Sequence, residues 1–513
     1  MTHDRATTAV PALSEEIVTQ LPDSSLLQSL SSPRCSELSQ RFRALGLERS
    51  ALTPIVEIGE RLPPAMNRPL RLWHLRRESS PLRTVMRSFA FMDPVPRSEA
   101  DSSLGDPELV DDLITGGLLV EGEGGTVVCP YYLNIVEGSF VFCDDLQRGG
   151  EAVMGGSMGT FNLLQAAWPL GRVGRVLDVG CGAGTIALVL AREAEEAVGV
   201  DINPRAIEVS TFNARFNGVA NVRFLEGDLF APVEGQRFDL IVSQPPFVSQ
   251  PAGAETVTFL HGGARGDELA LRLLGELPRH LAEAGRAVLL FDWPTYDGVP
   301  LQQRLRQALA GARCDVLALV APPKSLDDYV SFYAAASMPA LGPEYESRVH
   351  RHREHLLRAG ITALQLVYVV LRSTPAAPWT RVVETRSLSE LAPTGAQLER
   401  LIRATDLLHT DDEGLLRQQL VVPDGSQFVQ QEDGRVRVTL PDSRLVSPVV
   451  CSPSAAALLQ EVQAAPSVGA ALENAARRFG VHGVEGRRDL VTGVRGALES
   501  GLLEVSLEGK DAG

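Results

Sequence analysis

The sequence predicts an α/β protein built on a doubly wound, parallel sheet of seven strands, with a smaller unit at each end. From about Gly174 onward, apolar strand patterns alternate with helical patterns. Such alternation implies parallel strands joined by right-handed crossovers. The chain has 513 residues, which is enough for about three domains at roughly 150 residues each. Apolar residues make up 44% and charged residues 22% of the chain, as in ordinary globular proteins.

Composition and local patterns divide the chain into four segments. Residues 1–35 are rich in Ser, Thr and Pro, so we expect a poorly ordered leader. Helical patterns followed by alternating strands predict a helical and winged domain over 36–152. The central sheet is predicted over 153–373 and ends at a Pro-rich linker. Short strands mixed with three helical patterns predict a winged-helix-like α+β domain over 381–513.

One segment of the central domain is too long for a simple connection. Between the last two predicted strands, about Pro322 to Gly360 forms an insertion that exceeds a hairpin loop. We therefore expect it to fold over a neighbouring part of the sheet.

Charge and cysteine usage limit the partners and the compartment. Lys and Arg number 48 and Asp and Glu 64, so the net charge is −16. This balance argues against binding that depends on neutralising phosphates, so nucleic acid is the less expected partner. The six cysteines form no C-x-x-C pair, and no run of 18 uncharged apolar residues occurs. We expect a cytoplasmic protein without a membrane partner.

The strongest local signal is VLDVGCGAGT, which follows a strand and opens a helix. Glycines at Gly180, Gly182 and Gly184 allow a sharp turn and let the main chain approach a ligand closely. Position 185 is Thr185, so the spacing is G-x-G-x-G and differs from the G-x-G-x-x-G of dinucleotide enzymes. A nucleoside ligand without a pyrophosphate is favoured.

Two acids follow at the ends of the next strands. Asp201 comes about 20 residues after the glycines, where a carboxylate can accept hydrogen bonds from both hydroxyls of a ribose. Asp228, in LEGDLF, could accept from an adenine amine. Each acid alone could equally be a cap or turn former. Their joint spacing with the glycines favours a binding site.

The segment FDLIVSQPPFV ends the fourth strand and contains two consecutive prolines. Because proline has no backbone N–H, this loop presents carbonyl oxygens. The amide oxygen of Gln244 and the carbonyl of Pro245 could accept hydrogen bonds from a planar NH2 group, while Phe247 stacks on its face. The alternative is a rigid turn that closes the strand; its position above the Gly-rich turn favours the catalytic interpretation.

Together these motifs, with GVDINPRAIEVSTFNARFNG and HGGARGDELALRLL, resemble the class I S-adenosylmethionine-dependent methyltransferases. Within these, the chain is most similar to the "small" methyltransferase group, which includes the release-factor glutamine N5-methyltransferases. The motifs occur in the family's order over about 150 to 200 residues. One departure is Gln244, since the family usually has Asn in an N-P-P-Y/F loop.

The resemblance implies a Rossmann-like methyltransferase sheet with S-adenosylmethionine as cofactor and no metal. It implies a peptide, protein or small-molecule methyl acceptor, a catalytic domain at 153–373 and a recognition domain in front of it. The residues expected to bind the cofactor are Asp178, Gly180, Gly182, Gly184, Asp201, Ile202, Asp228, Leu229 and Ser243. The residues expected to act in catalysis are Gln244, Pro245, Pro246 and Phe247.

Three functions follow from this sequence, in decreasing order of support. The first is N-methylation of an amide or amine of a peptide, protein or peptide-derived product. The second is methylation of an exocyclic amine of an RNA or DNA base, and the third is a non-catalytic cofactor-binding scaffold. His350, His352 and His355 could suggest a metal, but no Cys or acid motif accompanies them. We expect a solvated basic helix face there. The C-terminal domain is loosely similar to winged-helix domains that clasp peptides; packing or dimerisation is the equal alternative.

Overall fold

A computed structural model describes residues 20–59, 64–309, 311–337, 342–385, 392–440 and 448–505. Most of the predicted leader therefore lies outside the described residues. Its last part is helical, because a 3-10 turn covers Ser24–Ser29 and the first α-helix begins at Ser32. Asp23 and Ser31 cap these two helices by accepting hydrogen bonds from backbone N–H groups.

The N-terminal unit consists of helices followed by short strands. Its elements are α1 (Ser32–Ala44), α2 (Arg49–Val56), α3 (Pro64–Arg76), α4 (Pro81–Val85), β1 (Val95–Pro96), α5 (Arg97–Leu104), α6 (Pro107–Thr115), β2 (Val120–Gly122), β3 (Thr126–Val128), β4 (Tyr132–Val136) and β5 (Ser139–Cys143). Strands β1, β3 and β2 form an antiparallel sheet around α5 and α6. Strands β4 and β5 form a hairpin whose turn residues, Glu137 and Gly138, both have positive φ, as a type I′ turn requires.

The central unit contains α7 (Met158–Ala167), β6 (Val173–Val179), α8 (Thr185–Leu190), β7 (Ala194–Asp201), α9 (Pro204–Asn217), β8 (Val222–Glu226), β9 (Phe238–Ser243), β10 (Val248–Ser249), β11 (His261–Gly263), α10 (Glu268–Glu276), β12 (Leu281–Tyr296), α11 (Leu301–Ala308), β13 (Cys314–Val320), α12 (Leu326–Ser337), α13 (Pro343–Arg358), β14 (Ile361–Ser373) and β15 (Thr380–Glu384). The main sheet has the order β15-β13-β14-β12-β9-β6-β7-β8. Strand β14 is antiparallel to both neighbours, and the other pairs are parallel.

This topology confirms the α/β Rossmann-like fold but corrects two details: the main sheet has eight strands rather than seven, and β14 is antiparallel rather than parallel. The eighth strand, β15, follows the Pro-rich stretch and pairs in parallel with β13. Its sequence TRVVE is short and comes directly after the stretch that predicted a linker, so the sequence did not distinguish it from linker. The central strands β6, β7, β9 and β12 all end at the same edge, where open α/β sheets bind their ligands.

The sheet is buried on both faces, as parallel sheets are. One face packs with α7, α8, α9 and the N-terminal unit into a single apolar core. The other face packs against α10 and α11. The insertion between β13 and β14 forms α12 and α13, whose apolar side chains share a smaller cluster with Phe247 and Val248 of the Pro-Pro loop. The insertion therefore folds over this loop.

The C-terminal unit has its own apolar core. It consists of α14 (Gly395–Leu408), α15 (Asp412–Leu416), β16 (Leu420–Val421), β17 (Gln427–Gln430), β18 (Val436–Thr439), β19 (Val449–Cys451), α16 (Pro453–Ala464), α17 (Val468–Phe479), α18 (Gly483–Glu499) and β20 (Glu504–Val505). Strands β17, β18 and β19 form an antiparallel sheet, and β16 pairs with β20. None of the helices within the described ranges is long and apolar enough to cross a membrane.

Candidate active site

The Gly-rich turn leaves β6 and exposes main chain at the sheet edge. Gly180, Gly182 and Gly184 have φ values of +76°, +51° and +78°, which a side chain would disfavour. The Gly180 N–H donates to the carbonyl of Val200 at 2.8 Å, and this bond ties the turn to β7. A Cβ atom added at Gly180 would meet nothing within 4 Å. The main chain there borders open space, so a ligand can approach it.

Asp201 ends β7 directly beside this turn. Its Oδ2 accepts from the Gly182 N–H at 2.8 Å and its Oδ1 from the Asn203 N–H at 2.9 Å. Burial raises the pKa of Asp201, while these backbone hydrogen bonds lower it. The next residue, Ile202, leaves 58% of its surface exposed. An oriented carboxylate next to an exposed apolar side chain suits a ribose attached to a flat base.

Asp178 and Ser243 lie deeper, at the ends of β6 and β9. Asp178 is buried, and its Oδ2 accepts from the Ala187 N–H at 3.1 Å in the first turn of α8. Burial raises the pKa of Asp178 to about 7, and the nearby charge of Asp201 adds to this rise. The Ser243 hydroxyl donates to the Val179 carbonyl at 2.7 Å and thereby ties β9 to β6. Both side chains hold the strand ends in place.

Asp228 and Leu229 lie after β8 at the outer end of the site. The Asp228 carboxylate accepts from the Arg272 guanidinium at 2.7 Å, and both side chains are about half exposed. Leu229 is nearly buried and has a φ of +48°, which is uncommon for a residue other than glycine. Arg272 belongs to α10, so this ion pair connects the loop after β8 to the helix that follows the Pro-Pro loop.

The Pro-Pro loop begins at the end of β9. Pro245 is buried, whereas Gln244, Pro246 and Phe247 are half-buried. The Gln244 amide lies against Gly159 at the start of α7, where an added Cβ would stand 2.1 Å from Nε2. Within the described ranges no hydrogen bond is formed by this amide. Its oxygen is therefore available to a ligand.

Sequence reasoning missed the segment over 150–159, which touches the other parts of the site through its main chain. The Met154 carbonyl accepts from the Ala183 N–H at 3.0 Å in the Gly-rich turn. The Glu151 carbonyl accepts from the Asn203 side chain at 2.9 Å. Because these are backbone contacts, the only sequence signal is the density of glycines in EAVMGGSMGT.

The solvated face that the sequence predicted for the histidines of α13 is confirmed at His350, which is exposed, but is wrong for His352, which is buried. Its Nε2 lies 2.7 Å from the Ser249 hydroxyl, and burial lowers the pKa of His352 to about 4. His352 is thus a neutral packing residue between α13 and β10. His355 contacts the Ala264 carbonyl. Over the described ranges no group of three His, Cys, Asp or Glu side chains is arranged to hold a metal.

Cys181, inside the Gly-rich turn, is also buried. Burial raises the pKa of the Cys181 thiol, and the charges of Asp201 and Asp178 raise it further. A thiol in this state is a poor nucleophile, so it packs rather than reacts.

Comparison with known proteins finds similarity in the region that contains this site. Residues 157–286 match the profile of the methyltransferase small domain. A protein named as an N5-glutamine methyltransferase in Methanocaldococcus jannaschii is 38% identical over 120 residues, which is 22% of this chain and 60% of that protein. The ribosomal RNA small subunit methyltransferase C of Alcanivorax borkumensis is 36% identical over 25% of this chain and 35% of its own length.

The release factor glutamine methyltransferase of Bacillus subtilis is 35% identical over 155 residues, which cover 28% of this chain and 53% of that protein. The chain thus spans between about a third and three fifths of the length of these three relatives. The matched region contains the Gly-rich turn, both acids and the Pro-Pro loop. Residues 157–286 of this chain are thus similar to the methyltransferase small domain.

Proposed function

We propose that this protein is an S-adenosylmethionine-dependent N-methyltransferase that acts on an amide or amine nitrogen of a peptide, a protein or a peptide-derived product. The observation that carries the proposal is the position of two features at neighbouring strand ends. The Gly-rich turn with Asp201 follows β6 and β7, and the Pro-Pro loop with a free Gln244 amide follows β9. One binds a nucleoside, and the other accepts hydrogen bonds from N–H groups.

The residues present fit S-adenosylmethionine. The main chain at Gly180 borders open space, and Ile202 is exposed beside the Asp201 carboxylate. Asp201 would accept from the ribose hydroxyls, Ile202 would pack on the adenine, and the buried Asp178 would border the inner end of the pocket, where it accepts a hydrogen bond from the start of α8. When bound, the cofactor supplies a methyl group on a positively charged sulfur. Ion pairing with Arg272 holds Asp228 at the outer end of the site, where it would face the adenine amine.

The chain's own residues orient the acceptor. The Gln244 amide oxygen and the Pro245 carbonyl would accept from the acceptor N–H groups and turn the nitrogen lone pair toward the methyl carbon. Phe247 would cover the face of the acceptor, and α12 and α13 would exclude water from it. Orientation of this kind supplies several kcal/mol toward the barrier of a displacement reaction.

The outer domains are proposed to serve recognition. The N-terminal domain over 36–152 has a three-stranded antiparallel sheet around α5 and α6, in keeping with a winged unit. Within the described residues, the C-terminal domain over 381–513 combines five helices, α14 to α18, with a small antiparallel sheet, in keeping with a winged-helix arrangement. Peptide recognition by the C-terminal domain and a packing role remain the two proposals for it.

The named relatives support a protein acceptor, since two of the three are named for glutamine in proteins. One relative is named for ribosomal RNA, so a base amine is the second candidate. The net charge of −16 opposes strong phosphate binding. Protein acceptors are therefore favoured.

Two measurements test the proposal. Calorimetry should show that the protein binds S-adenosylhomocysteine, and that Asp201→Ala weakens this binding whereas the exposed Asp424→Ala does not. Incubation with methyl-labelled S-adenosylmethionine and cell extract should then place label in the protein or peptide fraction. Label in RNA at low salt only would favour the second candidate. Cofactor binding without label in any fraction would favour the scaffold.

A further inference from the structure

Buried hydrogen-bonding atoms lack partners next to the Pro-Pro loop. Asp292 and Tyr329 are only 2% and 1% exposed. Within the described ranges, the Tyr329 hydroxyl has no hydrogen-bond partner, and Asp292 Oδ1 has an ion pair with Lys324 but no hydrogen bond. An unsatisfied buried polar group costs about 1–3 kcal/mol, so such atoms point to a missing water or ligand.

The register between β12 and β9 places these atoms beside the Pro-Pro loop. Leu289 of β12 pairs with Ser243 of β9, so Asp292 lies three residues farther toward the carboxyl ends. The Tyr333 hydroxyl donates to Asp292 Oδ2 at 3.2 Å. The Tyr333 ring meets Phe247 edge to face, with centroids 6.2 Å apart. One aromatic ring thus separates the Asp292 carboxylate from the Pro-Pro loop.

The chemistry of this cluster suits a cation. Three aromatic rings lie next to one another beside the buried carboxylate, in the spatial order Phe247, Tyr333, Tyr329. The centroids of the two tyrosine rings are 4.6 Å apart. Aromatic faces and a carboxylate together attract ammonium groups.

The chain's own Lys324 shows that an ammonium can reach this carboxylate. Its Nζ stands 3.6 Å from Asp292 Oδ1, an ion-pair separation that is too long for a strong hydrogen bond. The Lys324 side chain remains 43% exposed. It therefore approaches from the solvent side and can be displaced toward solvent by another cation.

Resting on the proposed function, we propose that Asp292 binds the acceptor nitrogen as an ammonium, so that the methyl acceptor is a basic primary amine and not a carboxamide. The incoming amine takes the place of Lys324 at the carboxylate. Asp292 then accepts one N–H proton, the freed lone pair forms the bond to the methyl carbon, and the carbon–sulfur bond breaks with its electron pair on sulfur. The Asp292 proton passes to water when product leaves.

The chemical form of the transferred label tests the proposal. Methyl-labelled S-adenosylmethionine is incubated with the full-length protein and cell extract, and labelled product is hydrolysed completely in acid. A methylated amine survives as an N-methyl amino acid or amine, whereas a methylated carboxamide releases methylamine, which becomes volatile when the hydrolysate is made alkaline. Label in a non-volatile amine supports the inference. Label released as methylamine overturns it and leaves the proposed function standing, whereas no label in any product overturns both.

Two variants test the residues. Asp292→Asn should lower the transfer rate about 100-fold, with S-adenosylhomocysteine affinity within twofold of the wild type. Lys324→Met should lower the apparent KM for the acceptor, measured as the amount of extract that gives half the maximal rate, because it removes the competing ammonium. If Asp292→Asn does not fold, Tyr333→Phe replaces it and should raise KM. Unchanged kinetics in the folded carboxylate variant, or a raised KM in Lys324→Met, would overturn the inference.

Discussion

Substitution of Gly159 by alanine should lower the rate of methyl transfer without lowering the stability of the fold. A Cβ at this position would lie 2.1 Å from Gln244 Nε2, whereas ordinary contact begins at 3.4 Å. The amide must therefore retreat by about 1.3 Å, the difference between these distances. A misplacement of about 1 Å at a reacting centre can cost roughly 100-fold in rate. Stability should not fall, because the Gln244 amide is free to move. In addition, alanine stabilises a helix by about 0.5–1 kcal/mol relative to glycine.

The assay is the initial rate of methyl transfer from labelled S-adenosylmethionine, measured beside S-adenosylhomocysteine affinity and urea unfolding. The matched control is Gly496→Ala, also within a helix, where an added Cβ meets nothing within 4 Å. Adding Gln244→Asn to Gly159→Ala should restore part of the rate, because asparagine is one methylene shorter. If Gly159→Ala keeps more than about a third of the wild-type rate, the Gln244 amide does not orient the acceptor.

Three further predictions concern buried titratable groups. Asp201→Ala should weaken S-adenosylhomocysteine binding at least tenfold by calorimetry, because it frees the Gly182 N–H and removes the ribose acceptor. The pKa of Asp178 is raised by burial to about 7, so the free energy of unfolding should fall as pH rises from about 4 through 7, and Asp178→Asn should lack this fall in urea titrations. The pKa of His352 is lowered by burial to about 4, so stability should fall by up to about 3 kcal/mol as pH drops from 6.5 to 4; His352→Gln should be less acid-sensitive.

Each of these has a contradicting result. Unchanged affinity in Asp201→Ala would remove the ribose assignment. Parallel pH curves for the wild type and Asp178→Asn would mean that the carboxylate ionises at its ordinary pKa in the folded protein. Equal acid sensitivity of the wild type and His352→Gln would assign the loss of stability to other groups.

The sheet and the proposed cofactor-binding residues could be predicted because the sequence patterns that indicate them are local. Alternating strand and helix patterns indicate an α/β sheet, and Gly180 and Asp201 stand at strand ends with a recognisable spacing. The acceptor side could not. Asp292 lies within the apolar run AVLLFDW, and its partner Tyr333 is 41 residues away on a helix of the insertion. Only packing brings them together, and periodicity does not specify which face of the sheet an inserted helix pair covers.

Gly159 and Met154 were missed for a different reason. Gly159 leaves room for the Gln244 amide because it has no Cβ atom. Met154 contributes through its main-chain carbonyl, which accepts a hydrogen bond from the Ala183 N–H. Neither contact constrains a side-chain type that a pattern could reveal. The eighth strand was missed because its edge position requires little more than TRVVE, and edge strands are short and weakly patterned.

Two asparagines of α9, in the central unit, form hydrogen bonds to β5 of the N-terminal unit. Asn217 accepts from the Phe140 N–H at 2.9 Å and donates to the Phe140 carbonyl at 2.7 Å. Asn213 does the same at Phe142, with both distances 2.9 Å, and also donates to the Ala183 carbonyl in the Gly-rich turn at 2.9 Å. The two amides therefore complete β5 as a neighbouring strand would.

This difference between the two asparagines gives a matched pair of variants. Asn213→Ala and Asn217→Ala each leave a strand N–H and carbonyl without a partner, so both should lower the free energy of unfolding by about 1–3 kcal/mol. Only Asn213→Ala also releases Ala183, so only it should weaken S-adenosylhomocysteine binding in calorimetry. Equal affinities in the two variants would show that the front unit stabilises the chain without shaping the cofactor turn. The predicted inequality would show that the hydrogen bond from Asn213 to the Ala183 carbonyl shapes the Gly-rich turn, so that α9 connects this turn to the N-terminal unit.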